Sequence, residues 1–142
     1  MPFRLIYSSW ASPDVNMTDL AAMLKESRAR NRAHGITGVL ILSDGVFLQI
    51  LEGEKPEVLQ LYENIQRDPR HHGAKVYRED DIEERAFASW NMAYLTPSAE
   101  EVSKWAELEG ATTIASVLLS VEREPDRLPA MVLNILRAIA EQ

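Results

Sequence analysis

The chain has 142 residues, about one domain's length, and 46% of them are hydrophobic, which is enough to form a core. Its 15 basic and 22 acidic side chains give a formal net charge of −7, so general binding to nucleic acids is not expected. Cysteine is absent, which excludes disulfides, thiolate metal sites and any covalent bond between a cofactor and a thiol.

The first 96 residues alternate between strand and helix patterns. The first predicted elements are, in chain order, a strand over 3–8, a helix from an N-cap at Asn16 or Thr18 to about Asn31, a strand over 36–42, a hairpin turn over 43–45 and a strand over 46–51. They are followed by a helix over 55–67, a weaker strand over 74–78, an acidic loop over 79–84 and a last strand over 90–95. The order βαββαββ predicts an α+β ferredoxin-like sandwich whose helices cover one face of the sheet.

The remaining part of the chain, residues 97–142, shows helix patterns only. The expected helices span 105–108, 114–121 and 126–141. The last of these carries an apolar stripe, formed by Leu128, Val132, Ile135, Leu136 and Ile139. We therefore divide the chain into a domain over 1–96 and a C-terminal helical extension over 97–142. The stripe is expected to pack on the other face of the sheet or on another subunit.

No run of the sequence approaches the roughly 18 apolar residues that a membrane helix needs. The start of the chain carries no cleavage pattern of a signal peptide. We therefore expect a cytoplasmic protein that does not associate with a membrane.

Polar side chains interrupt the apolar faces at three positions. Gln49 alternates with Phe47 and Leu51 and so shares their face, where an unpaired buried amide costs about 1–3 kcal/mol. Tyr7 places a hydroxyl at the end of an otherwise apolar strand face. Asn31 follows Leu24 by seven residues and falls on the core stripe of the first helix. Together these polar groups are expected to converge in one cleft that suits a planar heteroaromatic ligand.

Each of these residues also has a purely structural interpretation. Gln49 can be a core residue bonded to backbone, Tyr7 can be core packing, and Asn31 can cap the end of its helix. The coincidence of the three favours a ligand site.

Two other motifs are weaker. Arg70-His71-His72 suggests a metal site, but adjacent strand residues point to opposite faces, and no metal is expected. The sequence over 35–38 has the GxxG form of an RNA-binding module but lacks basic flanks. There is also no dinucleotide fingerprint, no phosphate-binding loop and no nucleophile elbow.

Five segments, taken in order, resemble the BLUF family of blue-light sensors that use flavin. They are Arg4-Leu5-Ile6-Tyr7-Ser8-Ser9, Asn31 with Gly35-Ile36-Thr37-Gly38, Phe47-Leu48-Gln49-Ile50-Leu51-Glu52-Gly53, Asp68-Pro69-Arg70-His71-His72, and Trp90-Asn91-Met92. The resemblance covers about residues 2–96. The extension is similar, less specifically, to that of short stand-alone members.

The resemblance implies a flavin, usually FAD but with FMN or riboflavin also tolerated, bound without a covalent bond between the two helices and the sheet. Tyr7 would then give an electron and a proton after light absorption. Gln49 would bridge that tyrosine and the flavin, and its amide would rearrange. Asn31 would bond the polar edge of the ring. Trp90 and Met92 would respond to the switch, and strand alternation places both of them on one face.

Arg30 departs from the family pattern, in which the position often holds Asn or His, but its guanidinium can still bond the ring or the phosphates. The expected flavin-contacting residues are Tyr7, Leu24, Arg30, Asn31, Gln49 and Met92. The expected photoactive residues are Tyr7, Gln49, Trp90 and Met92.

The leading hypothesis is a blue-light receptor, not an enzyme, that signals to a separate protein partner and forms a homo-oligomer. The lack of cysteine argues against the flavin photosensors that form a flavin–cysteinyl adduct. One alternative is a small ferredoxin-like enzyme, either a flavin reductase or a phosphatase, although no acid, base or anion clamp is evident. Another is a regulatory module that senses a different ligand in the same cleft.

Overall fold

A computed structural model describes residues 1–109 and 113–141 of the chain. The strands are β1 (Phe3–Ala11), β2 (Thr37–Ser43), β3 (Val46–Gly53), β4 (His71–Asp81) and β5 (Ala93–Leu95). The helices are α1 (Met17–His34), α2 (Lys55–Arg67), α3 (Ala99–Trp105), α4 (Ile114–Arg123) and α5 (Leu128–Ala140), the last preceded by a short 3-10 turn over Pro125–Arg127. The predicted extension is thus described except for residues 110–112 and 142.

The strands form one sheet in the order β4-β1-β3-β2-β5. All neighbours are antiparallel except β2 and β5, which run parallel. Two helices follow the first and third strands, as in the predicted ferredoxin-like α+β plan. The prediction of the fold class is therefore confirmed.

Each face of the sheet carries its own apolar core. On the front face, Leu5, Tyr7 and Phe47 pack against residues of α1 and α2. On the back face, Ile6 and Ile50 pack against residues of α3, α4 and α5. The chain therefore forms three layers, with the sheet in the middle.

The last helix supplies much of the back core. Four residues of its predicted stripe are buried, Leu128, Val132, Ile135 and Ile139, and Leu136 is partly buried. Of the two expected packing arrangements, the structure therefore has the stripe on the other face of the sheet.

Local signals in the sequence fix the ends of the first helix. Asn16 accepts from the backbone of Asp19, and the Asp19 side chain accepts from the backbone of Asn16, which is a capping box. Gly35 ends the helix with a φ of 67°, a left-handed conformation that favours glycine. The predicted N-cap at Asn16 is confirmed, and the helix continues three residues beyond Asn31.

Several boundary predictions are wrong by three residues or more. The first strand continues to Ala11, and β4 begins at His71 and not at residue 74. Residues 79–81 of the expected acidic loop are instead the end of β4, where they pair with β1, and charged side chains are typical of such an edge strand. The last strand is shorter than expected, because residues 90–92 leave the ladder. The helix expected over 105–108 lies over 99–105, where a capping box between Ser98 and Glu101 starts it.

No helix among the described residues is both long enough and apolar enough to cross a membrane.

Candidate functional site

The predicted polar pair meets at the centre of the front face. Tyr7 on β1 and Gln49 on β3 are direct cross-strand partners, and both are almost fully buried. The Tyr7 hydroxyl donates to Gln49 Oε1. On its other side, Gln49 Nε2 donates to the Met92 sulfur at 3.4 Å. Gln49 therefore connects a phenol to a thioether through a single rotatable amide.

A cleft opens over this pair, between the sheet and the two front helices. Its walls come from the sheet, α1, α2 and the turn after α2. The lining residues are Tyr7, Met23, Glu26, Ser27, Arg30, Leu40, Phe47, Gln49, Asn64, Ile65, Asp68, Arg70 and His71. Its apolar lining comes from Met23, Leu40, Phe47 and Ile65. The other lining residues carry polar or charged groups, which can bind the polar edge of a flat organic ligand.

Buried polar atoms without partners test whether a flavin fits this site. Among the described residues, Arg30 Nε, Asn31 Oδ1 and Ser43 Oγ are buried and make no hydrogen bond. Such groups are costly unless something pairs with them. An arginine N–H needs an acceptor and an amide oxygen needs a donor, and the polar edge of a flavin ring carries carbonyl oxygens and an N–H. Of the three residues, Arg30 lines the cleft, so its unpaired N–H fits the group.

The structure positions the expected flavin-contacting residues unequally. Arg30 lines the cleft with Tyr7 and Gln49. Asn31 is fully buried but is not among the lining residues, and its Nδ2 donates to the Asn91 carbonyl at 2.6 Å. Leu24 is buried in the front core and does not line the cleft either.

Trp90 and Met92 do not share a face, contrary to the prediction from alternation. Met92 is buried in the front core beside Gln49, whereas Trp90 packs against the back core. Alternation fails because residues 90–92 are irregular and β5 begins only at Ala93. In this structure Met92 is the residue of the pair that contacts Gln49.

The turn after α2 closes one side of the cleft. Arg70 bonds Asp68 at 2.6 Å and reaches across to Glu26 of α1 at 3.3 Å. These bonds to Arg70 hold the pKa of Asp68 below its usual range. From the sequence alone, this segment is only a metal candidate and a family motif, because the pairing depends on how α1 approaches the turn.

His71 lies at the same rim as a neutral hydrogen-bonding group. Its Nδ1 and the Ser9 hydroxyl are 2.9 Å apart, and its ring packs edge-on against Phe47. Burial lowers the pKa of His71. Within residues 1–109 and 113–141, no group of three or more carboxylate or imidazole side chains has the arrangement of a metal site.

The protonation of Tyr7 is well defined. Burial, followed by the nearby Tyr62, raises the pKa of the Tyr7 phenol far above its ordinary value. The ring centroids of these two tyrosines are 5.1 Å apart. At neutral pH Tyr7 is therefore a hydroxyl donor, which is the form that its bond to Gln49 requires.

The chain is similar to known proteins of one family. A family model of BLUF, described as sensors of blue-light using FAD, matches residues 3–93. The chain belongs to the BLUF family.

Individual relatives match to different extents. The photoactivated adenylate cyclase subunit beta of Euglena longa is 37% identical over 99 residues, covering 69% of this chain and 11% of that protein. The chain thus spans about a tenth of the length of this relative. Among solved structures, BlsA in its photo-activated state is 32% identical with a TM-score of 0.83, covering 96% of this chain and 95% of that one. The BlrB dark state is 25% identical with a TM-score of 0.75, covering 96% of each chain.

Proposed function

We propose that this protein is a blue-light photoreceptor that binds a flavin non-covalently in the front cleft. The observation that carries the proposal is the row formed by Tyr7, Gln49 and Met92, in which one amide both accepts from a phenol and donates to a thioether. Rotation of that amide by half a turn exchanges its donor and its acceptor. Both bonds of the row must then change, and no covalent bond is made or broken.

FAD is the proposed cofactor, in keeping with the family description, and FMN and riboflavin share the same ring. Arg30 and Asn31 are proposed to hold the ring through their unpaired Nε and Oδ1 atoms. Leu24 and Met92 are proposed as apolar contacts. When bound, the flavin absorbs blue light and acts as the electron acceptor.

The chain's own residues supply the rest of the switch. Tyr7 is the proposed electron donor, and its proton lies on the hydrogen bond to Gln49 Oε1. Since burial keeps Tyr7 protonated, that proton is available whenever the phenol is oxidised. Gln49 is proposed to rotate in response and to break its bond to the Met92 sulfur. The change at Met92 then has a direct route into β5, which starts at the next residue.

The signal is proposed to reach a separate protein partner through the helical extension, residues 97–142. The extension follows β5 directly and covers the back of the same sheet. A change in β5 can therefore alter the packing of α3 to α5. To act as a switch, the two states must differ in affinity for the partner by a coupling of about 1–3 kcal/mol. We further propose that the protein is a cytoplasmic homo-oligomer and has no catalytic activity of its own.

Spectroscopy of the purified protein tests the proposal. Protein prepared in the dark should show a flavin spectrum, blue light should shift it reversibly to the red, and chromatography of the released cofactor should identify the flavin. Tyr7→Phe and Gln49→Leu should bind flavin and lose the shift. Tyr77→Phe is the matched control, because its hydroxyl bonds Ser8 on the back face, and it should keep the shift.

Two results would overturn the proposal. One is a colourless protein that takes up no added flavin. The other is a normal red-shift in Tyr7→Phe, since no phenol would then be needed.

A further inference from the structure

The segment that delivers Met92 to Gln49 is an irregular strap, which we define as residues 85–92. It is the later part of the connection from β4 to β5 and passes from one core to the other. Phe87 is fully buried in the back core, whereas Met92 is buried in the front core. The strap is thus in contact with both the switch and the helical extension.

A single buried carboxylate holds the start of the strap. Glu52, on β3, is fully buried and accepts four N–H groups. The Nε and Nη2 atoms of Arg4 donate to its Oε2 at 2.9 and 2.7 Å. The backbone N–H of Ala86 donates to the same oxygen at 3.1 Å, and that of Phe87 donates to Oε1 at 2.8 Å.

Further hydrogen bonds hold the rest of the strap. The Trp90 amide donates to the Phe87 carbonyl at 3.1 Å, and the Trp90 carbonyl accepts from Gly38 of β2 at 2.9 Å. At its far end, the Met92 carbonyl accepts from Arg28 Nε at 3.0 Å. The strap that carries Met92 is therefore held at its start by Glu52, further along by β2 and at its end by α1.

We propose that Glu52 is a positioning residue of the light switch, which sets how long the lit state lasts by anchoring the strap. The proposal rests on the proposed photoreceptor function. Glu52 touches neither the cleft nor Gln49, so it acts only through the strap. Rotation of the Gln49 amide requires Met92 to give way, and a firmly held strap raises the barrier to that movement in both directions.

The chemistry of the site requires a carboxylate and not an amide. A glutamine of the same size would have one acceptor oxygen, and its NH₂ group would face an N–H of Arg4 or of the strap. Glu52→Gln therefore keeps the shape of the side chain but loses part of its hydrogen bonding, either to Arg4 or to the strap. Arg4 would also lose the charge that balances it.

The test measures thermal reversion of the lit state in the dark. Glu52→Gln should keep its bound flavin and its red-shift, and its reversion should be faster by about fivefold, the rate equivalent of one net hydrogen bond. Hydrogen exchange at the Ala86 and Phe87 amides should rise in parallel. Glu122→Gln is the matched control, because Glu122 pairs with Lys75 of β4 to tie the sheet to α4 without touching the strap. Its reversion should stay within about twofold of the parent protein.

If Glu52→Gln does not fold, a second variant tests whether anchoring of the strap sets the lifetime of the lit state. Arg85 is the first residue of the strap, and its side chain donates to the Gly35 carbonyl at 2.7 Å and to the Thr37 hydroxyl at 3.2 Å. This side chain is only half-buried. Arg85→Gln should also speed reversion, by a smaller factor. Reversion in Glu52→Gln no faster than in the Glu122→Gln control would overturn the inference, as would unchanged reversion in Arg85→Gln. If the parent protein shows no photoresponse, the proposed function itself fails, so the two failures are distinguishable.

Discussion

The hydrogen bond between Tyr7 and Gln49 has a consequence for stability that can be measured without light. Both side chains are buried, with 2% and 5% of their surface exposed, so neither can turn to water when its partner is removed. Tyr7→Phe leaves the Gln49 oxygen without a donor, and Gln49→Leu leaves the Tyr7 hydroxyl without an acceptor. Each single variant should lower the free energy of unfolding by about 1–3 kcal/mol, the cost of an unsatisfied buried group.

The double variant gives the sharper test. With both partners apolar, no polar group remains unsatisfied, and such paired replacements are close to neutral. The double variant should therefore lose less stability than the two single variants added together, by about 2–6 kcal/mol, which is the sum of the two single costs.

The assay is urea unfolding in the dark, followed by far-ultraviolet circular dichroism, with the same excess of flavin for every variant. Tyr77→Phe is the control, because it also removes a phenol hydroxyl that bonds a side chain, but its partner is Ser8 and not Gln49, so its cost should add to that of Gln49→Leu. Additivity of the two single variants within about 0.5 kcal/mol would refute the argument, because it would mean that the two side chains do not depend on each other.

Three further predictions concern the scaffold. Burial holds the pKa of His71 below its value in the unfolded chain, so the unfolded state binds the proton first and the free energy of unfolding falls as the pH drops below about 6.5. In urea unfolding at several pH values, His71→Gln should reduce this dependence on pH. The same change at the exposed His72 should leave it unaltered. Ile135→Ala, at a fully buried position of α5, should lower the free energy of unfolding by about 2–5 kcal/mol. Leu133→Ala, on the exposed side of the same helix, should change it by no more than about 0.5 kcal/mol. Equal costs would contradict the packing of the extension. Gly38→Ala would place a Cβ 2.0 Å from a backbone carbonyl of β3, so its melting temperature should fall and exchange of the β2 amides should rise.

Much of the fold was predictable because its signals are local. The helix over 55–67 has the predicted bounds, set by an apolar stripe and by the Asp68-Pro69 stop. Asn16 and Gly35 define the ends of α1 through their own backbone conformations. The alternation of Phe47, Gln49 and Leu51 correctly placed the glutamine on an apolar face.

The errors occur where a residue's environment depends on distant parts of the chain. Residues 79–81 form a strand because β1 is there to pair with them, although their own charges are typical of a loop. Trp90 and Met92 separate because the strap that contains them is bonded to β2 and α1 and does not continue the ladder. Periodicity describes a regular element and cannot indicate where such bonds interrupt it.

Residue type and near-neighbour spacing were enough to predict the order of elements, the polar pair on the apolar face and the exclusion of thiol chemistry. Only the folded arrangement shows that Met92 is the neighbour of Gln49 and that the extension covers the back of the sheet. It also gave a function to Glu52, whose four bonds come from residues 34 to 48 positions away. A carboxylate at the end of a strand is ordinary in a sequence, and only burial with these partners identifies it as an anchor.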